Sequence, residues 1–144
     1  MASYSKRHKQ IPATHFDILK SKCSPVVCTV RPDGLLSAHP VSIVWDGEHI
    51  RFSTSKDRLK YRNLIADPRI SLCISHPDNE LHYVEVRGRA VLEDDTDRSF
   101  VNSIAKKYMG VEEFPYDPPG IERVIVTVIA EQISTPVFGR VIKE

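Results

Sequence analysis

Hydrophobic and polar positions change their period several times along the chain, and each change predicts an element. Val26–Val30 is a short, almost continuous apolar run, the pattern of a buried strand, and Arg31-Pro32-Asp33-Gly34 follows as a turn. A second strand is expected over about Leu36 to Trp45. Asp46-Gly47 then closes a hairpin into a third strand, His49 to Ser53. From Arg58 to Ala66 the period becomes helical, with Tyr61, Leu64 and Ile65 predicted to share the apolar face, and Asp67-Pro68 ends the helix. Ile70, Leu72 and Ile74 alternate with polar neighbours. After the loop His76-Pro77-Asp78-Asn79 comes the longest strand, in which Val84, Val86, Gly88, Ala90 and Leu92 alternate with Tyr83, Glu85, Arg87 and Arg89. Thr96 is the expected N-cap of a helix carrying Phe100, Val101, Ile104, Ala105 and Tyr108 as its stripe, with Gly110 as its stop. A proline-rich loop, Phe114 to Gly120, leads to a final strand, Arg123 to Ala130. A short first helix covers Asp17 to Lys22.

This order predicts a mainly β chain of about six antiparallel strands with peripheral helices. Such a set closes most economically into a barrel, because closure removes exposed edges. The whole of 1–144 reads as one domain, with 1–12 as a loose tail and 131–144 as a C-terminal extension.

Composition narrows the function classes. The chain is 41% hydrophobic and 27% charged with a net charge of +1, so neither disorder nor a general attraction to nucleic acid or anionic membrane is expected. No apolar run reaches the ~18 residues of a membrane helix, and the basic, polar N-terminus lacks a secretory apolar core, which points to the cytoplasm. Three cysteines without a C-x-x-C pair speak against a disulfide framework or zinc knuckle. Phosphate-loop, dinucleotide, zinc-protease and serine-hydrolase signatures are all absent from the sequence.

One segment departs from neutrality. Ser53-Thr54-Ser55-Lys56-Asp57-Arg58-Leu59-Lys60 runs off a strand end into a helix start and offers three hydroxyls, free amides and several cations, which is what a phosphate needs. A solvated helix start with incidental charge has the same pattern. Ala38-His39-Pro40-Val41-Ser42 places a proline inside a strand run, as an edge or bulge does, and such a break leaves backbone groups for a planar ligand. Around Gly88, Arg87 and Arg89 fit either surface pairing with Glu85 and Glu93 or a groove for a polyanion.

Taken in order, several segments carry a family resemblance: Val30 to Gly34, Pro40-Val41 with Trp45-Asp46-Gly47, Ser53-Thr54-Ser55 with Lys60, and Arg62-Asn63-Leu64. Asp67-Pro68-Arg69, Tyr83 to Ala90, Lys107 to Gly110, Phe114-Pro115-Tyr116 and Pro119-Gly120 through Val124 complete it. Over about residues 15–130 the chain resembles the split β-barrel flavin and deazaflavin oxidoreductases related to pyridoxamine 5′-phosphate oxidase, and within them the mainly actinobacterial branch that uses coenzyme F420.

The resemblance implies a homodimer with two cofactor sites at the subunit interface, each built from both chains, and a small-molecule substrate reduced by hydride transfer. It places Arg58 and Lys60 on the phosphate or tail carboxylates, Ser53, Thr54 and Ser55 as hydrogen-bond donors, and Asn63 as the residue that secures the helix start. Pro40, Val41 and Ser42 would flank the ring, and His82 would face the substrate or reach across the dimer. Coenzyme F420 is the expected cofactor and FMN the alternative; a carrier that binds F420 without turnover is the non-enzymatic reading.

Overall fold

The computed structural model describes residues 5–136. Eight antiparallel strands form one sheet: β1 (Ser5–His8), β2 (Val26–Val30), β3 (Leu36–Pro40), β4 (Ile43–Trp45), β5 (Ile50–Ser55), β6 (Arg69–His76), β7 (Asn79–Asp94) and β8 (Arg123–Pro136). Seven of them follow the path β3-β2-β6-β7-β8-β5-β4, and β1 pairs with β8 beside it, where about six strands were expected. Three helices accompany the sheet: α1 (Phe16–Lys20) behind a 3-10 turn at Ala13–His15, α2 (Leu59–Ala66) and α3 (Ser99–Met109).

The connection between β3 and β4 decides the shape. These strands are the two ends of the sheet path, yet only Val41 and Ser42 separate Pro40 from Ile43. Three Cα–Cα steps of 3.8 Å reach at most ~11 Å, so the sheet must curl until its ends nearly meet. No ladder joins β3 to β4, which leaves the curl split along that line. The second strand expected as one run is therefore two. The break falls after Pro40, whose ring nitrogen has no proton to give a ladder; beyond it the Val41 amide turns to the Pro25 carbonyl at 2.9 Å.

Alternating side chains of the strands fill the inside of the curl. Phe52, Ile43, Leu72, Ile74, Val84, Val86, Val126 and Ile133 are each 0–2% exposed and belong to one cluster. In β7 the residues expected to face inward do so at Val84, Val86 and Gly88, while Arg87 and Arg89 lie outside. There Arg87 pairs with Glu85 at 2.8 Å and Arg89 with Glu131 at 3.6 Å, so Glu131 replaces the expected Glu93 and the arginines are surface ion pairs.

Other expectations are corrected by local chemistry. The face that α2 buries carries Asn63 and Leu64, while Ile65 is 61% exposed, because Asn63 reaches inward to donate from Nδ2 to the Thr29 hydroxyl at 3.0 Å. Asn63 thus ties α2 to β2 rather than securing the helix start. α3 is capped by Asp95 and not Thr96. An extra turn with Arg98 at φ +63° lets the two oxygens of the buried Asp95 accept from the Phe100 and Val101 amides at 3.2 and 2.9 Å. Ser5–His8 pairs with Ile133–Pro136, so part of the expected loose tail is strand and residues 131–136 continue β8. Of the expected tail and extension, residues 1–4 and 137–144 lie outside the described residues. Among the described residues no helix is long and apolar enough to cross a membrane.

Candidate functional site

The split in the barrel opens into a cleft of about 330 Å³. Six parts of the chain line it: Pro40, Val41 and Ser42 from the end of β3 and the β3–β4 connector, Ser53 and Thr54 from the end of β5, Arg58 and Lys60 from the start of α2, Val101 and Ile104 from α3, Phe114 from the loop after α3, and Arg123 from the start of β8. Seven of the ten expected site residues therefore converge, although they come from three separate stretches of sequence.

The hydroxyls of β5 are presented by its alternation and its register against β8, Ser53↔Ile125 and Thr54↔Val124. Thr54 is 2% exposed, and its Oγ1 has no hydrogen-bond partner among the described residues. A buried hydroxyl left unpaired costs stability, so its position in a cleft wall favours a ligand that pairs with it. Ser55 is buried and gives its hydroxyl to Asp57, which fixes the corner where β5 turns into α2 instead of facing the cleft. The Arg58 amide closes the same corner on the Ser55 carbonyl at 3.0 Å.

Charge is distributed unevenly around the cleft. Arg123, only 10% exposed at its side chain, is already neutralised: Nε and Nη2 donate to Asp117 at 2.7 and 2.6 Å, and Nη1 reaches the Ser53 hydroxyl at 3.4 Å. Arg123, and to a lesser degree Arg98 at 2.9 Å, hold the Asp117 carboxyl below its usual pKa. Neither Arg58 nor Lys60 is ion-paired among the described residues. Burial, then the nearby charges of Arg58 and Arg123, lower the Lys60 pKa. A half-buried ammonium beside like charges is unfavourable by itself and is relieved by an anion.

That shift has a testable sign. A bound anion stabilises the charged amine, so binding raises the Lys60 pKa, and anion affinity is lost as pH rises through the depressed titration. Calorimetric titration with inorganic phosphate, as pH rises above the phosphate's second ionisation toward the ordinary lysine value of 10.5, should show weakening in the wild type. Lys60→Arg should stay flat across the same range.

The remaining expected residues stand elsewhere. Asn63 is fully buried between α2 and β2. His82 is not among the cleft residues; its Nε2 lies 3.0 Å from Asp17, with the His15 ring 4.7 Å and the His76 ring 6.0 Å from its own. Sequence reasoning missed Val101, Ile104, Phe114 and Arg123 as cleft residues. The first two were read only as helix core, and Arg123 only as the first residue of a strand. An arginine three residues after a loop that contains Asp117 was the available signal.

Comparison with known proteins accords with this geometry. A family model described as pyridoxamine 5′-phosphate oxidase matches residues 11–135. Among solved structures, one named an F420 reductase is 30% identical, with a TM-score of 0.75, and the match covers 85% of this chain and 98% of that one. A conserved hypothetical protein from Mycobacterium tuberculosis is 22% identical at a TM-score of 0.67, covering 89% of this chain and 87% of that one. A pyridoxamine 5′-phosphate oxidase-related, FMN-binding protein from Nostoc punctiforme is 15% identical at 0.63, covering 90% and 84%. At these last two identities the likeness is one of fold. No curated protein matches the sequence.

Proposed function

The chain belongs to the pyridoxamine 5′-phosphate oxidase family, whose model spans residues 11–135, and from that premise we propose that it is an F420-dependent oxidoreductase acting on a small unsaturated or quinone-like substrate. The observation that carries the reading is the pairing, in one cleft, of the unpartnered Thr54 hydroxyl with Arg58 and Lys60, cations in no ion pair among the described residues, beside the apolar walls Pro40, Val41, Val101 and Ile104. An anionic group attached to a flat apolar one satisfies both halves. The 30% identical relative named an F420 reductase supports the deazaflavin as that ligand.

In this reading Arg58 and Lys60 take the phosphate or tail carboxylates, and Ser53 and Thr54 donate hydrogen bonds to the same region. Ser55 and Asn63 hold the β5–α2 corner and the helix behind them. Val41 and Ser42 lie beyond the β4–β5 ladder, which begins at Ile43↔Phe52, and so offer backbone and apolar contact to the ring. Lys107 and Tyr108 keep that connector in place, donating to the Ile43 carbonyl at 3.0 and 2.9 Å while the Tyr108 oxygen accepts the Ile43 amide at 3.2 Å. The bound deazaflavin supplies hydride transfer; the protein supplies orientation and exclusion of water. A second copy of the chain contributing to each site belongs to the same reading. FMN is the competing ligand, since its phosphate and ring meet the same groups.

Turnover tests it. With reduced F420 and a panel of enones and quinones, deazaflavin absorbance should recover only when protein and acceptor are both present. Tight binding without turnover across the panel would make the protein a carrier instead.

A further inference from the structure

Phe114 is the single aromatic side chain that lines the cleft among the described residues, and it is held there by a connected set of interactions in a segment without helix or strand. Its amide donates to Asn102 Oδ1 of α3 at 3.0 Å. The Arg123 guanidinium lies over its ring at 4.6 Å from the centroid. Tyr116 meets it edge-on at 5.6 Å. Three residues further on, Asp117, 11% exposed, grips Arg123 with both oxygens and Arg98 with one.

Such a sheltered two-point carboxylate–guanidinium pair is directional, and it fixes the loop on the mouth of β8. It also consumes the Arg123 charge. Arg123 therefore serves to hold the loop, and the cations left for an anion are Arg58 and Lys60. The guanidinium packs over Phe114 while the side chain lines the cleft, where it meets whatever flat group enters.

Resting on the cofactor reading above, we propose that Phe114 is the specificity-determining residue for the conjugated ring of the ligand, and that the Arg98–Asp117–Arg123 cluster positions it. The site then divides its work: α2 recognises the anion and the anchored loop recognises the ring. Packing of a planar conjugated group on an aromatic side chain is commonly worth a factor of roughly ten in affinity.

The test titrates wild type, Phe114→Leu and Phe114→Tyr with inorganic phosphate and with whichever of F420 or FMN the wild type binds, thermal unfolding reporting the fold of each. Phe114→Leu should lose roughly tenfold toward the ring-bearing ligand, Phe114→Tyr should keep it, and inorganic phosphate should bind all three within about twofold. Phe114→Met gives the same comparison if the leucine variant does not hold its fold. A leucine variant that binds the ring ligand like wild type overturns the proposal, and so does one that loses phosphate to the same degree. A wild type that binds neither F420 nor FMN refutes the cofactor reading itself, a distinct outcome.

Discussion

Gly88→Ala is expected to destabilise the protein by about 3 kcal/mol or more, a large part of the ~5–15 kcal/mol that holds a domain of this kind together. Gly88 sits where β7 and β8 slip register: Arg87 faces Gln132 and Gly88 faces Ala130, which leaves Glu131 as the extra residue of a bulge. A Cβ placed there would overlap the Ile129 carbonyl oxygen and stand 2.9 Å from its carbon and 3.1 Å from the Ala130 Cα. All of these are backbone atoms of the paired strand, so no rotamer change relieves the clash. The bulge must shift or the ladder must open. Gly34→Ala is the control. It has no atom within 4 Å of the added methyl but a φ of +87°, and should cost only about 1–2 kcal/mol through backbone conformation. Urea midpoints of the two variants should differ accordingly; equal midpoints would mean that the close approach at Gly88 does not constrain the barrel.

The second large effect is on binding. Arg58→Ala combined with Lys60→Ala should weaken F420 by at least about a hundredfold, because each charge-assisted contact contributes roughly 1.5–3 kcal/mol. Arg69→Ala removes one cation from an exposed pair with Asp67, away from the cleft, and should leave affinity nearly unchanged. Stability separates a ligand site from a structural one. Lys60 is a half-buried cation with a lowered pKa, so Lys60→Met, which keeps the apolar stem, should hold or raise the urea midpoint while it lowers affinity. A variant that lost stability and kept affinity would assign Lys60 to the fold and not to the cleft.

What could be read from the sequence follows from the range of the interactions involved. Strand alternation, the turns at Asp33-Gly34 and Asp46-Gly47, and Gly110 at the end of α3 are local signals, and the strands and helices stand close to where those signals put them. A glycine among valines in a long strand, as at Gly88, is likewise a local signal of a bend or a close backbone approach. The proline at position 40 marked the strand break, yet the split became visible only once the two ends of the sheet path were known to be β3 and β4. Capping by Asp95 instead of Thr96 depended on one φ angle, that of Arg98.

In the site, hydroxyls and cations adjacent in sequence were legible. The far wall was not, because Val101, Ile104, Phe114 and Arg123 reach the cleft through tertiary packing of α3 and a loop onto β5 and β8. His82 carried no local signal of its place. It sits against Asp17 because the β6–β7 hairpin folds over α1, a contact between residues 65 apart in sequence.

The most direct test is equilibrium titration of the unmodified protein with F420 and, separately, with FMN, followed by Trp45 fluorescence. Trp45 is the sole tryptophan; it ends β4, a few residues past the connector that lines the cleft, and packs against Phe16 at 4.9 Å. Binding of F420 at low micromolar concentration with quenching of Trp45, and markedly weaker binding of FMN, is the predicted result. Preference for FMN would contradict the deazaflavin assignment while keeping the cleft, and binding of neither would contradict the account of the cleft as a cofactor site.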